Sequence, residues 1–392
     1  MNNKSKKIWK QTKGQIIELK PNKTQITYFN KACGVARLAY NWALNEWNNQ
    51  YKLNKEYRDK CKKLNIEVDN NKIYKPTENE LRKQLNKIKY EKFPFMLEVT
   101  KCAPQLAIKQ LGVAFSRFFK GQAKYPKFRK KGIDDKFSIS NDQFKIENNK
   151  IKIPHLKEIK LKENSKLNGK LLSAKIFTRA GRWFVSVNVE LSNLILPKIK
   201  TNKSVGIDLG IKDFAILSNG EKIQSPKPLK QKLKKLKRLN KSLSRKKLGS
   251  NNRQKVKIKL SKLHYKISCI RKDFLHKLTT NLLNRFDVIA IEDLNTKGML
   301  KNHKLARAIS DLGFYEFKRQ LIYKAAFWNK TIKTVDRFFP SSKNCSVCNN
   351  YKKADLTLKD REWTCPICNT HHDRDINAAI NILNNANKVL TL

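Results

Sequence analysis

Two Cys-x-x-Cys pairs, Cys345/Cys348 and Cys365/Cys368, sixteen residues apart, constrain this chain more than any other feature. Each pair supplies two thiolates from one tight turn. Two such turns make a closed tetrahedral site of the kind zinc occupies, with no coordination position left open for chemistry. The metal is therefore expected to be structural. A knuckle of this type needs a residue with positive φ just after it, and asparagine, next best to glycine for that conformation, stands there as Asn349 and Asn369. Two redox pairs or a disulfide framework are the competing readings. His371 and His372 are candidate extra ligands, although four thiolates suffice.

Charge narrows the partner. The 392 residues carry 86 Lys+Arg against 32 Asp+Glu, a formal charge of +54 spread along most of the length. An AT-rich genome explains lysine over arginine but not the shortage of acids. A polyanion does, because each neutralised phosphate releases counterions. The hydrophobic fraction of 40% supports real cores, and the length leaves room for two or three domains. No apolar run approaches the roughly 20 residues of a membrane span. The opening Met1-Asn2-Asn3-Lys4-Ser5-Lys6-Lys7 has no apolar leader, and Cys33, Cys61, Cys102 and Cys269 are scattered singly. Free thiols in a prokaryotic cytoplasm, at the nucleoid, are the expectation.

Periodicity divides the chain. Residues 8–19 read as extended, and Pro21-Asn22-Lys23-Thr24 as a helix start. Ile26, Phe29, Val35, Leu38, Trp42 and Trp47 then fall at helical spacing, and helical sequence continues through Leu81–Ile88 and Thr100–Phe119. Trp42 and Trp47 read as core, whereas Tyr125 and Phe128, in a basic aromatic break at 121–132, are candidates for base stacking. From Phe137 to Val189 the pattern is of strands, with turns at 147–150 and 179–182. A small β-barrel interrupted by a helical insertion fits. After a linker around Pro197-Lys198-Ile199-Lys200 come a strand at Ser204–Leu209 and extended runs at Phe214–Ser218 and Gly220–Gln224. Two helices follow, broken at Gly249-Ser250-Asn251-Asn252. Residues 229–277 carry 19 Lys+Arg and one acid, Asp273, over leucine and isoleucine stripes, which reads as a basic hairpin facing phosphates. A strand at Val288–Ile291, a helix over Leu305–Trp328, a strand at Thr331–Val335, the cysteine module and a helix over Asp375–Ala386 complete the pass.

Three carboxylates stand out on that frame. Asp208 lies within the apolar Val205-Gly206-Ile207-Asp208-Leu209-Gly210, Glu292 ends Val288-Ile289-Ala290-Ile291, and Asp375 opens the last helix in His372-Asp373-Arg374-Asp375-Ile376-Asn377-Ala378-Ala379. A carboxylate among apolar strand residues is costly unless it is paired or coordinated. Magnesium takes oxygen ligands, and two divalent ions about 3.5–4 Å apart assist phosphodiester hydrolysis. Singly, each acid has a plain alternative. Asp208 can be a turn residue, Asp293 can replace Glu292, and Asp373 or Asp375 can be a helix cap. Together, in the order strand, strand, helix, they point to an RNase H-like (RuvC) nuclease.

These segments resemble the TnpB family of transposon-encoded RNA-guided nucleases, relatives of the type V CRISPR effectors. The likeness covers essentially the whole chain and is specific in the second half; Tyr125-Pro126-Lys127-Phe128-Arg129 extends it to the first. It implies a mixed α/β architecture: an RNase H-like RuvC domain with an inserted basic hairpin and a four-cysteine zinc finger, preceded by a β-barrel wedge domain carrying a helical recognition insertion. The implied boundaries are wedge 1–20 and 131–200, recognition domain 21–130, RuvC 201–340 with its hairpin at 226–285, zinc finger 341–371 and C-terminal RuvC helix 372–392. The family's acids correspond to Asp208, Glu292 and Asp375 (the second acid of the Asp373/Asp375 pair), holding catalytic Mg²⁺, two ions in the expected form. The family's zinc ligands correspond to Cys345, Cys348, Cys365 and Cys368. The implied partners are a guide RNA from the transposon end and double-stranded target DNA beside a short flanking motif, with no membrane and an open oligomeric state. A guide-bound regulator without cleavage, a transposase accessory protein and a CRISPR-associated miniature effector are the alternatives.

Overall fold

The computed structural model describes residues 12–133, 135–191, 200–357 and 360–388. Residues 8–11 of the expected first strand and Pro197–Ile199 of the expected linker lie outside them. The chain divides into two compact units, one ending at Leu194 and the other beginning at Ile195.

The first unit begins with β1 (Thr12–Lys20) and α1 (Lys23–Lys63). Pro21-Asn22 starts that helix through a capping box: Gln25 N–H donates to Asn22 Oδ1 at 2.8 Å, and Asn22 N–H donates to Gln25 Oε1 at 3.0 Å. α2 (Glu78–Lys92) starts the same way on Thr77 and Glu80, and α3 (Cys102–Phe119) packs along α1. Trp47 stacks on Phe115 with ring centroids 4.0 Å apart, and both Trp42 and Trp47 pack against the core. Then come β2 (Lys136–Ser140), β3 (Lys145–Glu147), β4 (Lys150–Lys152), β5 (Ile159–Leu161), β6 (Gly169–Arg179) and β7 (Arg182–Leu191). The β3–β4 and β6–β7 hairpins turn on Asn148-Asn149 and Ala180-Gly181, all four at positive φ, the geometry whose twist matches that of the strands.

These strands form one antiparallel sheet in the order β2-β6-β7-β1-β5-β4-β3. Seven strands laid flat would separate β2 from β3 by about 29 Å, at roughly 4.8 Å per strand. Yet β2 ends at Ser140 and β3 starts at Lys145, and five residues span at most about 17 Å. The sheet therefore has to curl back on itself as a barrel. Ile17, Ile139, Ile151, Ile159, Ile176 and Val185 are fully buried in the core that it shares with α1 and α3.

The second unit is built on β8 (Ser204–Asp208), β9 (Ala215–Leu217), β10 (Lys222–Ile223), β11 (Val288–Glu292) and β12 (Thr331–Val335), in sheet order β10-β9-β8-β11-β12. β8, β11 and β12 run parallel, while β9 is antiparallel to both of its neighbours. This order and polarity are those of an RNase H-like sheet. Between β10 and β11 lie α4 (Pro228–Ser244) and α5 (Asn251–Arg285). They zip through Leu236, Leu263 and Ile267, and turn at Gly249 (φ +80°) and the Ser250 cap. α6 (Thr296–Met299), α7 (Ala306–Leu312) and α8 (Phe314–Trp328) follow β11. The expected single helix over Leu305–Trp328 is two helices, because Gly313 takes φ +76° and breaks the hydrogen-bonding path between them. β13 (Glu362–Thr364) and β14 (His371–Asp373) form a hairpin in the cysteine module, and α9 (Arg374–Lys388) closes the unit.

One face of the sheet, through Val205, Ile207, Ile289 and Ile291, is covered by α5 and α8 around Phe214 and Phe317. The other face, through Ala290 and Val335, is covered by Ile382 and Ala386 of α9. Among the described residues, no helix is long and apolar enough to cross a membrane.

Candidate active site and metal centre

The packing of α9 on β8 depends on Gly206, which is buried beneath the helix. A Cβ there would overlap the Ala379 carbonyl oxygen and crowd Leu383. That close approach sets the level of two acids. Asp208 lies two residues beyond Gly206 on the same strand face, about 6.6 Å along. Asp375 lies one helical turn before Ala379, about 6 Å along. The two carboxylates therefore reach the same height at the carboxyl end of β8.

The third acid follows from register. Gly206 pairs with Ala290 and Ile207 with Ile291 across the parallel β8–β11 ladder, so Asp208 and Glu292 are next in line. Glu292 shares a face with Ala290, the face α9 covers. All three carboxylates thus meet on one side of the sheet, outside the strand ends, where open α/β sheets hold their ligands.

Electrostatics agree with this placement. Asp208 is half-buried, and its pKa is raised from 3.8 to about 7, first by burial, then by the charges of Glu292 and Asp375; Arg374 offsets part of the rise. Burial likewise pushes Glu292 up, against a 2.6 Å hydrogen bond that its Oε1 accepts from Ser341 Oγ. Asp375 receives Arg374 through Nε at 3.1 Å and Nη2 at 2.9 Å on Oδ1, while Arg361 approaches Oδ2 at 3.5 Å.

The neighbouring acids are otherwise engaged. Asp373 Oδ1 accepts the N–H groups of Asp375 and Ile376, both at 3.0 Å, and its other oxygen pairs with Lys222 at 2.6 Å. It is the helix cap, and its pKa is held down by Lys222 and the capping N–H groups despite burial. Asp293 turns away from Glu292 to pair with Lys318 at 2.8 Å and Arg337 at 2.5 Å, and those cations lower its pKa.

The four cysteine sulfurs lie within 4.8 Å of one another, with Cys345–Cys368 at 3.6 Å and Cys348–Cys365 at 3.7 Å. A tetrahedron with Zn–S bonds of about 2.3 Å has edges of about 3.8 Å, so the set can hold one zinc ion. Asn349 and Asn369 take φ +57° and +55°, the conformation each knuckle requires. His372 is not placed as a fifth ligand: its Nε2 lies 3.2 Å from Cys345 Sγ, a hydrogen-bonding contact to a ligand atom. Among the described residues this is the one such cluster of His, Cys, Asp and Glu side chains.

Sequence reasoning missed Ser341, Arg374, Asn377 and Asn381. The legible signal was Asn377-Ala-Ala-Ile-Asn381, two amides one turn apart beside alanines on a short helix. Both asparagines are buried. Their Nδ2 groups donate to the Asn344 carbonyl, each at 2.7 Å, and Asn381 Nδ2 also reaches the Ser341 carbonyl at 2.8 Å.

Comparison with known proteins places the chain among relatives. A family model described as "Probable transposase" matches residues 184–303, and one described as "Cas12f1-like, TNB domain" matches 314–382. A helix-turn-helix domain model matches 11–56, where the structure has β1 followed by one uninterrupted helix, α1. A protein of Streptomyces pristinaespiralis with the provisional name RNA-guided DNA endonuclease is 39% identical over 303 residues, 75% of this chain and 74% of its own. A similarly named Escherichia coli protein, InsQ, is 31% identical over 73% of this chain and 74% of its own. A chain in a Cas12f1–sgRNA–target DNA complex aligns over 95% of this chain and 99% of its own, at 15% identity and a TM-score of 0.34, too low to support an argument about the fold.

Proposed function

The chain belongs to the TnpB family, and we propose on that premise that it is an RNA-guided DNA endonuclease, holding a guide RNA derived from a transposon end and cutting matching double-stranded DNA beside a short flanking motif. The observation that carries the chemistry is the convergence of Asp208, Glu292 and Asp375 on one face of the second unit's sheet, from β8, β11 and α9. These acids would hold the catalytic Mg²⁺, which when bound supplies the positive charge that stabilises the attacking and leaving oxygens of the phosphodiester. Cys345, Cys348, Cys365 and Cys368 would hold the structural zinc.

The roles of the chain's own groups follow from their surroundings. Asp208, half-buried and subject to the charges of the other two acids, needs a cation beside it to be fully ionised at neutral pH. Ser341 and Arg374 orient the carboxylates of Glu292 and Asp375. The one-sided charge of α4 and α5 suits a nucleic-acid backbone, whose shape such a protein reads while base pairing reads sequence. We assign wedge, recognition, RuvC and zinc-finger roles to the ranges 1–20 with 131–200, 21–130, 201–340 with 372–392, and 341–371.

The test is to express the protein with its native downstream flank, sequence the RNA that copurifies, and challenge the complex with DNA matching the guide segment. A single RNA with a constant scaffold, and cleavage that Asp208→Ala abolishes without loss of DNA binding, is the expected result. Cleavage surviving Asp208→Ala overturns the site assignment. Heterogeneous RNA overturns the guided reading. A wild-type complex that binds matching DNA without cutting it favours a regulator.

A further inference from the structure

α9 presents two stripes. Asp375, Ala379, Ile382 and Ala386 recur at helical spacing and belong to the sheet side. Arg374, Asn377 and Asn381 recur at the same spacing, rotated by roughly 140° at 100° per residue, and all three bond to the module that carries the cysteines. Arg374 Nη1 donates to the carbonyls of Thr357 and Asp360, at 3.2 and 3.0 Å, between the two knuckles. Asn377 Oδ1 accepts from Ser346 N–H at 3.0 Å, and its Nδ2 donates to Asn344, so it holds both neighbours of Cys345. Asn381 holds the Ser341 carbonyl, and the Ser341 hydroxyl holds Glu292.

Two of these contacts end on the acids themselves. Arg374 spans from the module's carbonyls to Asp375 with all three nitrogens of its fork engaged, and its side chain is only 12% exposed, against 53% for Arg361. Ser341, in the turn leading into the first knuckle, is tied to α9 through its backbone and to Glu292 through its side chain. A buried amide whose partners are backbone carbonyls holds those carbonyls in place, because leaving any of them unpaired is costly.

We propose that Arg374, Asn377, Asn381 and Ser341 are positioning residues through which the cysteine module sets the geometry of the acid site, so that the grip of the acids on a divalent ion depends on the module being correctly folded against α9. This rests on the reading of Asp208, Glu292 and Asp375 as the metal-binding acids. The module is then a component of the active site's support rather than only a zinc-stabilised fold. Removing an outer-shell partner of a metal ligand commonly lowers metal affinity 10- to 100-fold, and that is the effect expected at each of these positions.

The test uses the full-length, guide-loaded protein with Mn²⁺ as probe. Free Mn²⁺ is read by electron paramagnetic resonance, and the Asp208→Ala complex serves as the blank for ions held by the RNA. Ser341→Ala and Asn377→Asp are each expected to raise the Mn²⁺ dissociation constant at the Asp208-dependent site 10- to 100-fold. Zinc content is expected to stay at the wild-type value in both variants, whereas Asn377→Asp, which removes one of the two amide donors to the Asn344 carbonyl, should melt several degrees lower. Ser341→Thr, which keeps the hydroxyl, should restore binding. In cleavage assays the Mg²⁺ concentration for half-maximal rate should rise, with most of kcat recovered at saturating Mg²⁺. Wild-type Mn²⁺ affinity in both variants overturns the proposal. So does weakened binding only in Asn377→Asp together with lost zinc, since that is unfolding of the module and not positioning. Failure of the underlying reading looks different: Asp208→Ala then binds Mn²⁺ and cuts like the wild type.

Discussion

Replacing Asp208 by asparagine should destroy cleavage and yet stabilise the protein when divalent ions are absent. Asparagine keeps the shape and removes the charge. The carboxyl's pKa rises from 3.8 to about 7 in the folded protein, so the folded state binds the proton more tightly than the unfolded chain does. Stability attributable to this group is therefore complete below about pH 4 and declines as pH climbs to about 7. At pH 8 the full shift of about 3 units, at 1.36 kcal/mol each, sets a ceiling of about 4 kcal/mol on what the asparagine recovers. At pH 5 only the interval from 3.8 has been crossed, and the ceiling is about 2 kcal/mol. For a unit of about 200 residues, each kcal/mol moves Tm by roughly 2–4 °C, so the variant should melt up to about 16 °C higher at pH 8 and only a few degrees higher at pH 5. The assay is calorimetry or near-ultraviolet circular dichroism of zinc-loaded protein in magnesium-free buffer at both pH values. Added Mg²⁺ should then raise the wild type towards the variant, because it binds only where the carboxylate remains. A variant that melts at or below the wild type at pH 8, or whose gain does not shrink at pH 5, would refute the claim that Asp208 is held at a cost among like charges.

Four further outcomes follow from the same geometry. Asp373→Asn should retain cleavage, since asparagine still caps α9, whereas Asp375→Asn should lose it; equal loss in both would undo the division of roles between these neighbours. Gly206→Ala should destabilise the second unit by about 3 kcal/mol in chemical denaturation, the upper end for overpacking because the obstacle is backbone, and a near-neutral effect would mean α9 sits elsewhere. Cys365→Ser should abolish stoichiometric zinc and lower the thermal stability of the C-terminal region; metal content equal to the wild type would count against a four-thiolate site. Neutralising Lys255, Lys259 and Lys262 of α5 together should reduce the slope of log affinity against log salt for nucleic acid by about 2 to 3 units, and an unchanged slope would show that these side chains touch no phosphate.

The parts of this protein most legible in its sequence are those governed by local rules. The helix start at Pro21-Asn22, the positive-φ asparagines after each knuckle and the two-residue turns at 148–149 and 180–181 depend on a few adjacent residues, and the structure has all of them. The Leu305–Trp328 expectation failed on an equally local matter: Gly313 sits inside an otherwise continuous apolar period, and period alone does not register a residue that takes φ +76°. Ser341, Arg374, Asn377 and Asn381 escaped notice for another reason. Their partners are backbone carbonyls and acids tens of residues away, and a carbonyl leaves no mark in a sequence.

By itself, the sequence determined the chemistry available here: four thiolates at knuckle spacing, carboxylates ending apolar strands, and an excess of cations calling for a polyanion. Which carboxylates meet was decided only in three dimensions. The parallel register put Glu292 beside Asp208, and the missing side chain of Gly206 let α9 come close enough to bring Asp375 level with them. Asp293 and Asp373, each within two residues of a clustered acid, were taken out by Lys318 with Arg337 and by Lys222 with two helix N–H groups. A strand reverses its face at every residue and a helix turns 100° per residue, so neighbours in sequence part company at once. Only packing against a third element selects which of them stays at the site.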